Sequence, residues 1–262
     1  AEEAFGAGNI AAKTKAAYVF TSHAPHIPMT GMLAGMLSPI RFLKSINTYL
    51  LRQAMMEADR IVAFSQFSRD LIVNGLGKDH VDRVSLVAPG VESSWFEVER
   101  EQVAPAQLLF WGRVEEEKGL PELFIALNKV AKKFSRVKLT LVGEGNRLQE
   151  YKTLAADLGL TDVIEFTGWL NNLEIQKLAA KSSLGIFPSR IESFGLSVVE
   201  AMAAGLPVIA ARAGAVPENI EDAVTGTLVA VNDSDALAAA ILAALENPQN
   251  SEKMAKDAKS AV

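Results

Sequence analysis

Arg113 and Lys118 each stand beside a glycine in Trp111-Gly112-Arg113…Lys118-Gly119, just ahead of an apolar-periodic run that opens with Pro121. Proline suits a first helical turn, because the amide it lacks would be unpaired there. Two cations at a helix start suit a diphosphate: the dipole and open amides favour negative charge, and arginine grips oxygens bidentately. The alternative is that both are surface charges paired with Glu115–Glu117. A second group lies in Pro188-Ser189-Arg190-Ile191-Glu192-Ser193-Phe194-Gly195-Leu196-Ser197-Val198-Val199-Glu200-Ala201-Met202. Here a strand ends at Phe187, a loop carries Glu192, and a helix begins near Phe194–Gly195. The amides of Phe194 to Ser197 are donors at a helix start, and Gly195 lets a ligand approach the backbone. A loop carboxylate at Glu192 can accept sugar hydroxyls, and one at Glu200, further along the helix, can hold the two hydroxyls of a ribose. The competing reading makes Glu192 a dipole-favouring N-terminal charge and Glu200 a solvated helix residue.

These residues fall at the carboxyl ends of strands in a repeating strand-then-helix pattern. Leu108–Trp111, Val137–Val142, Val163–Thr167, Leu184–Phe187, Pro207–Ala211 and Thr227–Ala230 are short apolar or β-branched runs. Helical periodicity fills Leu120–Phe134, Arg147–Leu158, Leu173–Ala180 and Asp233–Leu245, with Asp233 or Ser234 as N-cap of the last. Such alternation predicts a doubly wound parallel sheet with helices on both faces, whose ligands sit outside the strand ends. The first hundred residues show less of this grammar. Strands are expected at Ala17–Thr21, Arg60–Ser65 and Arg83–Ala88, with helices over Ile40–Ala58 and Ser68–Asn74. Three strands are few for a freestanding doubly wound sheet. The domains are therefore drawn as 1–100, the later part of a first Rossmann-like domain; 104–248, a second one; and 249–262, the start of a helix cut short. Phe96–Pro105 reads as the linker, and the chain, which opens on Ala1 rather than Met, as a fragment at both ends.

The motifs resemble those of retaining glycosyltransferase family 4, which has the GT-B fold. Glu192-x₇-Glu200 lies within Glu-Ser-Phe-Gly-Leu-x₃-Glu-Ala-Met-Ala-x-Gly-Leu-Pro-Val, which is similar to that family's signature. Trp111–Arg113 with Lys118-Gly119 resembles its diphosphate clamp, and Val142-Gly143-Glu144-Gly145 its next loop. Phe166-Thr167-Gly168 and Pro217-Glu218 also fit. So do Phe20-Thr21-Ser22-His23, Ala58–Ser65 and Ala88-Pro89-Gly90-Val91-Glu92 from the N-terminal part. The resemblance implies two facing Rossmann-like domains, the N-terminal one incomplete here, and sugar transfer from a nucleotide-diphosphate sugar with retained configuration. Arg113 and Lys118 would neutralise the departing diphosphate. Glu192 would contact the transferred sugar, with the loop and helix start at Ser193, Phe194, Gly195, Leu196 and Ser197. Glu200 would bind the ribose, backbone at Gly168, Trp169 and Leu170 the base, and His23 would face the sugar from the other domain. Neither metal nor other cofactor is implied. Two features depart from the family pattern: Ala215 and Val216 follow Gly214 where a Gly-Gly pair often stands, and the opening Gly-rich loop of the first domain is absent. A nucleotide-sugar-binding fragment without turnover is the non-enzymatic alternative. A GT-B phosphorylase is the other enzymatic one, though no cofactor-lysine motif is present.

Composition narrows the rest. Without cysteine there are no disulfides or thiolate zinc sites, which fits a reducing cytoplasm. His23 and His26 suggest a metal, but only His80 is left as a third histidine and no cysteine can join them, so three-ligand zinc is not expected. Gly6-Ala7-Gly8-Asn9-Ile10-Ala11 spells a dinucleotide fingerprint, but no acidic residue follows until Glu57. No run approaches a membrane span, and no nucleic-acid partner is expected. Between Ala4 and Met56 only Lys13, Lys15, Arg41, Lys44 and Arg52 are charged, so a basic segment precedes an acidic body within a net charge of −5. Met29–Leu37 is apolar and methionine-rich in that segment. Together with Arg41 and Lys44 it is expected to meet a lipid-linked or anionic acceptor in peripheral contact with the inner membrane face. An ordinary buried loop is the alternative.

Overall fold

Short β-branched runs alternating with helices build two parallel sheets in the computed structural model, which describes residues 17–22, 49–101 and 106–262. The chain divides into two compact units, one ending at Pro89 and the other running from Gly90 to Val262.

In the first unit β1 (Val19–Ser22), β2 (Arg60–Ala63) and β3 (Val84–Leu86) pair in parallel in that order. A helix through residues 49–57 and α1 (Gln66–Leu76) supply the helical layer. Phe20, Ile61, Ala63 and Val84 from the strands bury against Ala54, Met55, Ile72 and Leu76. The Ser65 hydroxyl caps α1 by accepting from the Ser68 amide, satisfying one of the donors a helix start leaves open. Arg83 closes the far end of the 49–57 helix by donating to the carbonyls of Met55, Met56 and Ala58.

The second unit carries β4 (Gln107–Trp111), β5 (Lys138–Val142), β6 (Ile164–Gly168), β7 (Leu184–Phe187), β8 (Val208–Ala211) and β9 (Thr227–Val229). Their order is β6-β5-β4-β7-β8-β9, all parallel. Counted from β4, this is the 3-2-1-4-5-6 order of dinucleotide-binding sheets. Both faces are covered, so the inner strands β7 and β8 are buried along their whole length and read as unbroken apolar runs. The helices are α2 (Leu120–Ala131), α3 (Leu148–Asp157), α4 (Asn172–Lys181), α5 (Leu196–Ala203), α6 (Val216–Asn219), α7 (Ser234–Glu246) and α8 (Pro248–Ala261). α2 packs on α3 and α7, and α5 on α8. Asp233 caps α7, accepting from the amides of Asp235 and Ala236.

The division falls after Pro89, not near residue 100, and residues 96–101 are not a free linker. Trp95 is fully buried in the second core, stacked on Trp111. Arg100 donates to the carbonyls of Ala179 and Ser182 at the end of α4, whose last carbonyls lack partners within the helix. At the other end α8 spans Pro248–Ala261 and fills almost all of the 249–262 stretch expected to start a helix. Asn247 caps it, accepting from the Asn250 amide, and Ala255 and Ala258 are buried along its inner face.

Candidate functional site

After β4 the chain crosses to β5 on one side, while β7 lies on the other. The loops leaving β4 and β7 therefore part at the carboxyl edge, the switch point where open α/β sheets bind ligands. β4 and β7 pair only at Leu108–Leu184 and Leu109–Gly185. Beyond those pairs, the Trp111 ring meets Phe187 edge-on, with centroids 4.8 Å apart.

Glycines let four loops close on one another here. Gly119 takes a left-handed conformation (φ +65°) as N-cap of α2, and a Cβ there would overlap the Pro188 carbonyl. A Cβ at Gly143 would overlap the Gly112 carbonyl in the same way. The Gly143 amide donates to the Gly168 carbonyl at 2.8 Å, and the Val114 amide to that of Glu144 at 2.7 Å. The turns after β4, β5 and β6 are thus one hydrogen-bonded assembly. Arg190 ties the β7 loop to it: its amide donates to the Glu117 carbonyl at 2.7 Å and its guanidinium to Glu122 Oε1 at 2.7 Å.

Onto this frame the charged side chains are set. Lys118 Nζ lies 2.5 Å from Glu192 Oε1, with side chains 16% and 17% exposed, and the same oxygen accepts from Ser189 Oγ at 2.8 Å. The two loops therefore meet through an ion pair at the start of α2. Lys118 does not pair with Glu115–Glu117; Arg113 does, donating to Glu117 at 2.6 Å from a side chain 72% exposed. Glu200 lies on α5, itself capped by Gly195 at φ +89°. Its Oε2 accepts from Trp111 Nε1 at 2.8 Å. Burial raises the Glu200 carboxyl above the usual range; the indole bond opposes that rise and the nearby charge of Glu92 adds to it. Glu200 is therefore not the solvated residue of the competing reading.

The Phe194 carbonyl accepts from Asn219 Nδ2 at 2.6 Å, and the Glu192 carbonyl from the Ala215 amide at 3.0 Å. Ser193, Leu196 and Ser197 lie on the same loop and helix start. Gly168 ends β6, followed by the exposed ring of Trp169 (69%) and the half-buried Leu170. His23, the Met29–Leu37 stretch, Arg41, Lys44 and the Gly6–Ala11 fingerprint lie outside the described residues. Among the described residues no three His, Cys, Asp or Glu converge as a metal site, and no helix is long and apolar enough to cross a membrane.

Sequence reasoning missed the roles of Trp111, Ser189 and Arg190, although all three lie within the quoted motifs. Most buried indole donors are paired, so a tryptophan beside Gly-Arg was a usable signal. Nothing in the local pattern pointed to Asn219.

A family model described as Glycosyl transferases group 1 matches residues 91–261. Among curated relatives, the glycogen synthase of Mycobacterium tuberculosis is 28% identical over 232 residues, covering 88% of this chain and 54% of that protein. D-inositol 3-phosphate glycosyltransferase 2 of Catenulispora acidiphila is 33% identical over 215 residues, covering 75% and 50%. The chain thus spans about half the length of these relatives. Among solved structures, Anabaena Alr3699/HepE in complex with UDP and glucose superposes with a TM-score of 0.80 at 23% identity, over 97% of this chain and 68% of that one. Sucrose-phosphate synthase from Thermosynechococcus elongatus gives 0.79 at 21%, over 97% and 66%. At these identities the structural likeness is one of fold, and the fold is that of the two-unit α/β glycosyltransferases.

Proposed function

Because the chain belongs to the glycosyl transferases group 1 family, we propose that its second unit binds a nucleotide-diphosphate sugar and that the protein transfers the sugar to an acceptor with retained anomeric configuration. The observation that carries this reading is the Lys118–Glu192 pair at the switch point: a cation at a helix start and a carboxylate on the facing loop, 2.5 Å apart. An entering diphosphate offers Lys118 a more highly charged partner and frees Glu192 to accept hydroxyls of the sugar. Arg113, exposed and paired to one carboxylate, can turn to the same phosphates bidentately. When the bond between the anomeric carbon and the diphosphate oxygen breaks, negative charge grows on the departing group. Stabilising that charge with pre-placed cations and the amides at Phe194 and Gly195 is where such a site gains most. Glu200 takes the ribose, and the backbone at Gly168–Leu170 the base.

The charge-neutralising part falls to Arg113 and Lys118, so the reading includes no metal. The acceptor is proposed to be anionic or lipid-linked and met on the cytoplasmic side of the membrane. Because the chain spans about half of its curated relatives, a module that binds the donor without turnover is the second reading. Calorimetry with UDP, GDP and ADP, then donor hydrolysis followed by proton NMR of the released sugar, separates the two. Binding with first-formed sugar of the donor's own anomeric configuration supports transfer with retention, and binding without hydrolysis supports the module. Absence of binding to all three nucleotides removes both.

A further inference from the structure

Two buried indoles lie stacked under the proposed ribose site, and their N–H groups have different fates. Trp95 and Trp111 are 0% and 4% exposed, with centroids 5.6 Å apart and planes 8° from parallel. The Trp95 Nε1 has no hydrogen-bond partner among the described residues. Packing alone therefore accounts for Trp95. The Trp111 Nε1 instead donates to Glu200 Oε2 at 2.8 Å, across 89 residues of sequence. The ring cannot swing away, because Trp95 covers one face and Phe187 meets it edge-on. A phenylalanine would fill much of this space, so the indole adds one thing, a fixed donor aimed at a carboxylate.

We propose that Trp111 is a positioning residue for ribose recognition: its N–H locks the Glu200 carboxylate through Oε2 and leaves Oε1 for the ribose hydroxyls. The inference rests on the assignment of Glu200 to the ribose. A carboxylate already held in one orientation loses little rotamer freedom when the diol arrives, so part of the ordering cost of binding is removed in advance. Through the stack, the same device links Ser93–Trp95, the short turn opening the second unit, to the ribose contact.

The test compares whichever of UDP, GDP and ADP binds most tightly with its 2′,3′-dideoxy analogue. In Trp111→Phe the dissociation constant for the ribonucleotide should rise about tenfold, while that for the dideoxy analogue shifts by less than about twofold. In a Glu200→Ala background, Trp111→Phe should change neither. Equal weakening of both ligands, or of neither, overturns the proposal. Should Trp111→Phe not fold, indole ¹⁵N–¹H spectra of the wild-type protein decide. The ribonucleotide should move the Trp111 resonance and the dideoxy analogue should not, and an unmoved resonance overturns the proposal. The premise is read separately. If the wild type binds both analogues equally, the ribose assignment falls and the Trp111 role with it. If Glu200→Ala abolishes discrimination while Trp111→Phe keeps it in full, only the Trp111 role falls.

Discussion

The six-stranded sheet holds a partly buried cation at each edge, and the two are held differently. At the amino edge Arg100 donates to the main-chain carbonyls of Ala179 and Ser182 at the end of α4. Burial lowers its pKa, the nearby charge of Glu252 opposes that, and its partners are part of the backbone and cannot leave. At the carboxyl edge Lys118 is held by the side chain of Glu192 on a loop, a partner that can be exchanged for another anion. A cation fixed to backbone closes a helix end; a cation paired with a side-chain carboxylate can, on the proposed reading, exchange that partner for the anion of a ligand. The partner, more than the residue type, separates the stabilising end of this sheet from the end proposed to bind the donor.

The largest effect should come from the carboxyl edge. Lys118→Ala is expected to lower turnover of the full-length protein by about 10²–10³, the usual cost of one charge-stabilising contact, in steady-state assays with saturating acceptor. Unchanged turnover would break the contrast outright. Arg100→Ala should instead cost about 2 kcal/mol of stability, for lost hydrogen bonds from a charged group, and leave nucleotide affinity as it was. Urea unfolding beside calorimetry measures both, and a drop in affinity comparable with that of Lys118→Ala would erase the distinction between edges.

Glu200→Gln sharpens the contrast through pH. Because the folded-state pKa is raised above the ordinary 4.5, the folded chain holds this proton more tightly than the unfolded one. The ionised group therefore detracts from stability at high pH, and stability is gained as pH falls through the raised value. With Glu200 in its proposed ribose role, nucleotide binding uses the ionised form and should weaken over that same window. The variant should be slightly more stable than wild type at neutral pH, lack this increment of pH dependence, and bind the nucleotide about tenfold more weakly. Melting curves and titrations across the range above pH 4.5 check it, and a destabilised variant would contradict the burial argument. The smallest effect expected is none: with Arg113 and Lys118 proposed to neutralise the diphosphate, excess EDTA should leave transfer rates unchanged. A loss restored by added divalent cation would show that the two side chains do not suffice.

Much of this was legible from local pattern. The strands at Leu184–Phe187 and Val208–Ala211 are apolar throughout because both sheet faces are covered, and the Asp233 cap was visible beside a long alanine- and leucine-rich run. The linker was misjudged for a related reason. Phe96–Pro105 is charged and carries a proline, yet residues before and within it are drawn onto the second unit by Trp95 and Arg100, whose partners lie far along the chain. The short α6 was missed because a helix of four residues has little periodicity to show.

From residue types and spacing alone came the parallel α/β architecture, the family resemblance, and the set of cations and carboxylates at strand ends. Those follow from short-range rules, since helix periodicity, strand composition and the needs of a helix start act within a few residues. Only the tertiary structure decided which charges meet: Lys118 with Glu192 across 74 residues, Glu200 with Trp111 across 89, Arg190 with Glu122 across 68. A hydrogen bond is decided by the last ångström of approach, and that distance is set by strand order and by glycines that admit one loop to another. Neither is written in any local stretch of the chain.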